Sequence, residues 1–326
     1  MDKSAVLRED SVDLVGHKIL VAKIGGSLQE KDLTLPTNCD GFGRIRHFRR
    51  HISDGWPDDP LPIDPACKAL NLPRTDMIKA QVFQVAACDW RCWYCFVPEE
   101  LLCAKPGAGR WLSAQELLDI YLEESTPPKV IDLSGGSPSL VPEWVPWIMS
   151  ELRRRKLDEA TYLWSDDNLS NDFLWRYLSE ADRELIYGYK NYGRVCCFKG
   201  FSPESFSFNT RVHRQFFENQ FLIMSRLLTL GIDLYAYATF TTPSKNGICD
   251  DMRRFIDNLQ ELGPSLPLRT VPLKIVDFSP VKKRMNKARQ EALNNQWHAI
   301  EAWIKELENR FSSELLVQNI TDIKLS

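Results

Sequence analysis

QVFQVAACDWRCWYC, residues 81–95, is the stretch that decides the fold. Its first half, Gln81 to Ala87, reads as a β-strand, a short apolar run carrying valine and phenylalanine. Its second half is a loop bearing Cys88, Cys92 and Cys95 at the spacing C-x3-C-x2-C. Soft thiolates so closely spaced select zinc, copper(I) or an iron–sulfur centre. A structural zinc or a fully ligated ferredoxin-type cluster wants a fourth protein ligand. None stands at motif spacing, although Cys103 lies further along the chain. A strand that runs into a ligand-bearing loop places chemistry at its carboxyl end, as open α/β sheets do.

Outward from that stretch, strands and helices alternate. Strands are predicted at Val130 to Leu133, Thr161 to Trp164, Leu185 to Tyr189, Ile232 to Phe240 and Leu273 to Phe278. Helices are predicted from Ser113, where Glu116 completes a capping box, and over Pro142 to Leu157, Asn171 to Glu180, His213 to Leu230, Met252 to Leu262 and Met285 to Arg310. Gly231 and Gly263 stop two of them. Such alternation implies right-handed βαβ units and a parallel sheet. The cysteine loop, the turn at Gly135-Gly136 and the turn at Ser165-Asp166-Asp167-Asn168 each follow a strand, so they are expected along one rim.

The bulk properties bound the function. The chain has 326 residues, 44% of them hydrophobic, with a net charge of -3. That balance gives no overall pull toward nucleic acid or an anionic membrane. No apolar run is long enough to span a bilayer, and the N-terminus lacks the apolar core of a secretory signal. A cytoplasmic location is expected, and there the nine cysteines read as ligands, reactive thiols or buried small residues rather than as a disulfide framework.

The three-cysteine spacing, with Tyr94 just before the third cysteine, resembles the signature of the radical S-adenosylmethionine (SAM) superfamily. Gly135-Gly136-Ser137-Pro138 looks like that family's GGEP-type motif, with Ser137 where an acidic residue is usual. The resemblance implies that its backbone receives the amino group of SAM, and glycine permits the close approach. Ser165 and Asp166 stand where family members bond the ribose, with helix capping by Asp167 or Asn168 as the alternative. The segment Lys199-Gly200-Phe201-Ser202-Pro203-Glu204-Ser205-Phe206 is similar to one in the branch near the glycyl-radical-enzyme activases, in which a lysine approaches the SAM carboxylate. Asp277, at the end of the last predicted strand, corresponds by position to the adenine-cupping level.

The resemblance spans about residues 80–285. It implies an α/β fold, a partial (β/α)6 radical SAM barrel, with an N-terminal extension over residues 1–79 and a C-terminal helical segment over residues 286–326. It implies a [4Fe-4S] cluster, SAM as second cofactor, and a reductant such as flavodoxin or ferredoxin. SAM would be cleaved to a 5′-deoxyadenosyl radical that takes a hydrogen atom from a small-molecule substrate, an oxidoreductase's chemistry. The alternatives are an activase that installs a glycyl radical on a partner protein, and a non-catalytic iron–sulfur or zinc sensor or scaffold.

Two other signals lie in the extension. Lys23-Ile24-Gly25-Gly26-Ser27 resembles the opening of amino-acid-kinase folds, but a tight turn after an edge strand explains it. Arg44, Arg46, His47, Arg49, Arg50 and His51 form a basic cluster read as a solvated face or as partners of Asp58 and Asp59. If the extension closes over the reaction site, Arg44, Arg46 or Arg49 would grip an anionic group of the substrate.

Overall fold

The computed structural model describes residues 3–325. Its strands are β1 (Val12–Asp13), β2 (Lys18–Ala22), β3 (Gly43–Arg49), β4 (Met77–Phe83), β5 (Gly109–Ser113), β6 (Val130–Leu133), β7 (Tyr162–Asp167), β8 (Tyr192–Phe198), β9 (Asp233–Thr239) and β10 (Thr270–Leu273). Seven of them make the main sheet, in the order β10-β9-β8-β7-β6-β4-β3. β4 and β6 through β10 run parallel. β3 closes the edge antiparallel to β4, with Arg44 opposite Val82 and Arg46 opposite Ala80. A second sheet has the order β1-β2-β5.

Alternation along each strand sorts the side chains onto two faces. Leu163, Tyr192, Cys196, Phe198, Leu234 and Ala236 pack under the helices in the larger core. Tyr162, Trp164, Val195, Cys197, Tyr235 and Tyr237 point to the opposite face. There Leu61, Ile63, Ala66 and Cys67, in and before the helix Ile63–Ala69, plug the sheet with Ile320 from near the chain end.

Several expected elements fall elsewhere. The strand expected at Gln81 to Ala87 is β4, ending at Phe83. The next residues bond to β2 instead, with Ala22 N–H donating to the Gln84 carbonyl at 2.8 Å and Ala86 N–H to Leu20 at 2.9 Å. Leu185 to Tyr189 is not a strand. Ser179 and Asp182 form a capping box that starts the helix Glu180–Tyr187, and β8 follows it. The helix expected over Asn171 to Glu180 is only Phe173–Tyr177. That over His213 to Leu230 divides into a turn at Arg214–Phe216 and the helix Asn219–Leu228.

The last strand ends at Leu273, well before Phe278. Beyond it, Gln296 occupies the backbone of Ile275, accepting from its N–H at 3.1 Å and donating to its carbonyl at 3.0 Å. The ladder therefore cannot continue. The capping box of Ser113 and Glu116 is present as expected. No helix among the described residues is long and apolar enough to cross a membrane.

The N-terminal extension is built into the main sheet. It supplies β3 and the apolar plug, and Trp56 Nε1 donates to the Pro272 carbonyl at 3.1 Å. Arg50 is used structurally. Its guanidinium forks onto Asp64, with 3.1 Å for the Nη1 bond, and Nε reaches Asp76 at 3.0 Å.

Candidate functional site

The cysteine loop leaves β4 and is pinned by backbone bonds before any ligand is considered. Cys88 N–H donates to Leu102 at 3.0 Å, Trp93 N–H to Asn209 at 3.1 Å, and Cys95 N–H to Cys92 at 3.1 Å. Two arginines finish the job. Arg91 reaches back to the Cys88 and Trp90 carbonyls. Arg284 comes from beyond β10 and bonds four loop carbonyls: Cys92 at 3.0 Å, Trp93 at 3.3 Å, Cys95 at 2.8 Å and Val97 at 3.1 Å. Nothing in the sequence around Arg284 signals this role, because its partners lie far up the chain.

The Gly-Gly turn lies against the same loop. Ser137 N–H donates to the Ala87 carbonyl at 2.7 Å. Gly135 and Gly136 both have positive φ, +91° and +68°, a conformation glycine adopts without cost. A Cβ on Gly136 would stand 2.2 Å from the Val85 carbonyl oxygen and 2.6 Å from that of Ala87. The close approach that requires glycine here is therefore to the lead-in of the cysteine loop. Ser137 is fully buried, with its hydroxyl 3.2 Å from that of Ser139, and Pro138 opens a short 3-10 turn.

Asn168 joins the three parts. Its Nδ2 donates to the Gly136 carbonyl at 3.2 Å and lies 3.9 Å from Cys88 Sγ. Its own carbonyl accepts from Trp90 Nε1 at 3.1 Å. Neither Asp167 nor Asn168 caps the following helix; Asp172 stands at that position.

Ser165 and Asp166 part company. β7 runs through Asp167, so neighbouring residues face opposite ways. Ser165 turns to the helix side, 2.8 Å from the Tyr192 hydroxyl, where Arg194 pairs with Asp167 at 3.2 Å. Asp166 faces the other way and accepts from Ser134 Oγ at 2.6 Å. Ser165 is thus not brought to the side where Asp166 lies. Asp277 is also not brought in: it is exposed, past the end of β10. Its neighbour Phe278 packs edge-on against Phe96, with centroids 4.8 Å apart.

Lys199 follows β8. Asn209 and Gln220 hold its backbone at 2.9 and 2.8 Å, while its ammonium bonds to no described group. Burial works against the charge; Cys197, Cys92 and Cys88 outweigh it when they are thiolates, together with Asp166, and hold the pKa above its ordinary value. The lysine is a fixed cation facing thiols. Tyr94 is buried, with its hydroxyl 3.1 Å from Thr239 Oγ1, so it bridges the loop to the end of β9. Cys197, outside the three-cysteine motif, lies on β8 with its side chain on the Lys199 and Cys92 side.

The three thiols share one neighbourhood. Burial raises Cys88 well above its ordinary value, and Asp89, Cys95 and Cys92 raise it further. Burial also lifts Cys92 to about 11, against the pull of Lys199. Without a cation Cys88 and Cys92 stay protonated; a bound metal centre would draw them into the thiolate form. No three His, Cys, Asp or Glu side chains among the described residues converge as they would around a single ion. Three soft thiols on one loop are donors that fit an iron–sulfur cluster or zinc. Cys103 lies beside the loop, its Sγ donating to the Glu99 carbonyl at 3.2 Å and accepting from Arg91 Nη2 at 3.5 Å.

No family model matches the chain, and no curated protein matches it. Among solved structures it is similar to Streptococcus suis SuiB bound to precursor peptide SuiA, at 14% identity and a TM-score of 0.44, covering 68% of this chain and 45% of that one. The SAM-bound form of SuiB gives 14% identity and a TM-score of 0.42, over 68% and 46% of the two chains. The radical SAM methyltransferase TsrM from Kitasatospora setae, with tryptophan substrate and a SAM analogue bound, gives 16% identity and a TM-score of 0.40, over 60% and 36%. The match spans less than half the length of each of these chains. Overlaps of this extent carry no chemistry over to this protein.

Proposed function

We infer that the chain is a radical SAM enzyme with a partial (β/α)6 barrel core, acting on a small-molecule substrate. The observation that carries this reading is the junction at the carboxyl ends of β4, β6 and β7. The C-x3-C-x2-C loop, the Gly135-Gly136 turn and Asn168 are bonded to one another there. The ammonium of Lys199 faces the thiols of that loop.

In this reading Cys88, Cys92 and Cys95 hold a [4Fe-4S] cluster with one iron left open for SAM. When bound, the pair supplies a 5′-deoxyadenosyl radical by one-electron reduction from a flavodoxin- or ferredoxin-type donor. The chain's own residues do the rest. Arg91 and Arg284 hold the loop in register. Lys199 presents a point charge to the SAM carboxylate. Asp166 is available to the ribose hydroxyls, a role Ser165 does not share. Trp90, Trp93 and Tyr94, all buried, keep water from the loop.

The test is anaerobic reconstitution with iron and sulfide, then incubation with SAM and dithionite. About four irons per chain and formation of 5′-deoxyadenosine with methionine are expected. Stoichiometric zinc without iron, or a reduced cluster that leaves SAM intact, would refute the reading.

A further inference from the structure

β3 puts Arg44 and Arg46 on the face that carries Phe48 and the apolar plug, because residues two apart share a side. Arg49 belongs to the opposite set and is exposed. Arg44 is 8% exposed, and its guanidinium sits 5.2 Å from the ring of Phe96, the residue after Cys95. Arg46 stacks 3.9 Å over Phe48 and keeps 32% of its side chain open to solvent. Neither guanidinium donates a hydrogen bond to any described group, and Arg44 Nε is wholly buried without a partner.

Their nearest carboxylate does not answer this need. Arg46 Nη1 stands 3.8 Å from Asp132 Oδ2, too far for a hydrogen bond. Both oxygens of Asp132 are buried and unpartnered. Burial and the neighbouring Asp166 push its pKa to about 8, so it is largely neutral near pH 7, and Asp166, bonded to Ser134 Oγ, is the other carboxyl group that faces the two arginines. Two guanidinium forks lie side by side, one opening to solvent, beside a carboxyl with no bond of its own. Buried donors left unmade in this way are costly unless a ligand completes them.

We propose that Arg44 and Arg46 form an oxyanion subsite that grips a carboxylate or phosphate of the substrate next to the cysteine loop, with Asp132 bonding a polar atom beside that anion. A planar fork matches either oxyanion two bonds at a time. The proposal rests on the reading of the cysteine loop as the reaction site, since the Phe96 contact sets the anion beside it.

The full-length chain is titrated by calorimetry with inorganic phosphate and, separately, with acetate at constant ionic strength. Saturable binding of at least one anion is expected. Arg44→Gln and Arg46→Gln should each weaken it by about tenfold or more, while Arg49→Gln leaves it unchanged. Arg44→Lys and Arg46→Lys keep the charge but lose the fork, so they should bind in between; melting curves check that each variant is folded. Which anion saturates tells a phosphorylated substrate from a carboxylate. Absence of saturable binding by the wild type, or an equal loss in Arg49→Gln, overturns the subsite. The same wild-type preparation is reconstituted and assayed for 5′-deoxyadenosine. Failure there with anion binding intact refutes the radical SAM reading, and the converse refutes only the subsite.

Discussion

Arg284 donates through Nη1 to the carbonyl of Cys92 at 3.0 Å across 192 residues of sequence, which makes the segment after β10 a clamp on the cysteine loop. The same guanidinium reaches three further loop carbonyls. Bonds from a charged donor contribute about 1.5–3 kcal/mol each and are not additive within one clamp. Arg284→Ala should therefore lower the melting temperature and reduce the iron retained after reconstitution. Arg284→Lys, which cannot serve four carbonyls from one plane, should recover less than half of the iron. Iron assay and thermal melting check both; full iron content in Arg284→Ala would show that the loop holds its shape unaided.

Cys88→Ala, Cys92→Ala and Cys95→Ala should each abolish cluster assembly and SAM cleavage. Cys103→Ser should leave both largely intact, because that thiol is already directed at the Glu99 carbonyl. Cys249→Ser should do the same, since Cys249 is exposed on the helix Ile248–Leu262. Iron content and the visible absorption of the reconstituted variants decide the matter. Loss of the cluster in Cys103→Ser would mean a fully protein-ligated centre with no position for SAM.

Gly136→Val tests where the need for glycine comes from. The sequence reading ties it to SAM binding alone. The geometry ties it to the carbonyls of Val85 and Ala87, and a positive φ on a branched residue adds roughly 1–3 kcal/mol of strain. The variant should thus lose stability and iron as well as SAM affinity. A variant with normal iron content and only weakened SAM binding would return the constraint to the cofactor.

Asp132 sets a pH dependence of stability. Burial first, and Asp166 second, raise its pKa from 3.8 to about 8. A folded-state pKa above the unfolded one means the stabilising contribution is complete below about pH 3.8 and is lost as pH rises through about 8. Asp132→Asn cannot ionise, so it should melt several degrees above the wild type at pH 8.5, with the gap narrowing toward pH 5. Melting curves of the two proteins across that range provide the check; parallel curves would show that Asp132 does not titrate on unfolding.

Deleting residues 1–75 should abolish folding rather than merely uncouple turnover. The cut removes β3, which pairs with β4 along its whole length, together with Leu61, Ile63, Ala66 and Cys67 of the apolar plug. Circular dichroism and solubility of the truncated chain read this directly. A soluble, cooperatively melting fragment would make the extension an appendage.

The sequence by itself determined the local features. Three thiols within eight residues, a Gly-Gly turn after a short apolar strand and the capping box at Ser113 depend on neighbours a few positions apart, and spacing encodes them. The alternation of strand and helix was legible for the same reason, and it announced a parallel sheet. Tertiary structure decided everything that depends on which face a side chain takes or on distant partners. β7 runs further than its apolar core suggests, and that extra length turns Ser165 away from Asp166. Gln296 ends the β10 ladder before Asp277 by occupying the backbone of Ile275. Arg44 and Arg46 differ from Arg49 only through the pairing of β3 with β4, which alternation then converts into inside and outside. A one-residue change of register would have exchanged them, and no local pattern in a basic run can specify that register.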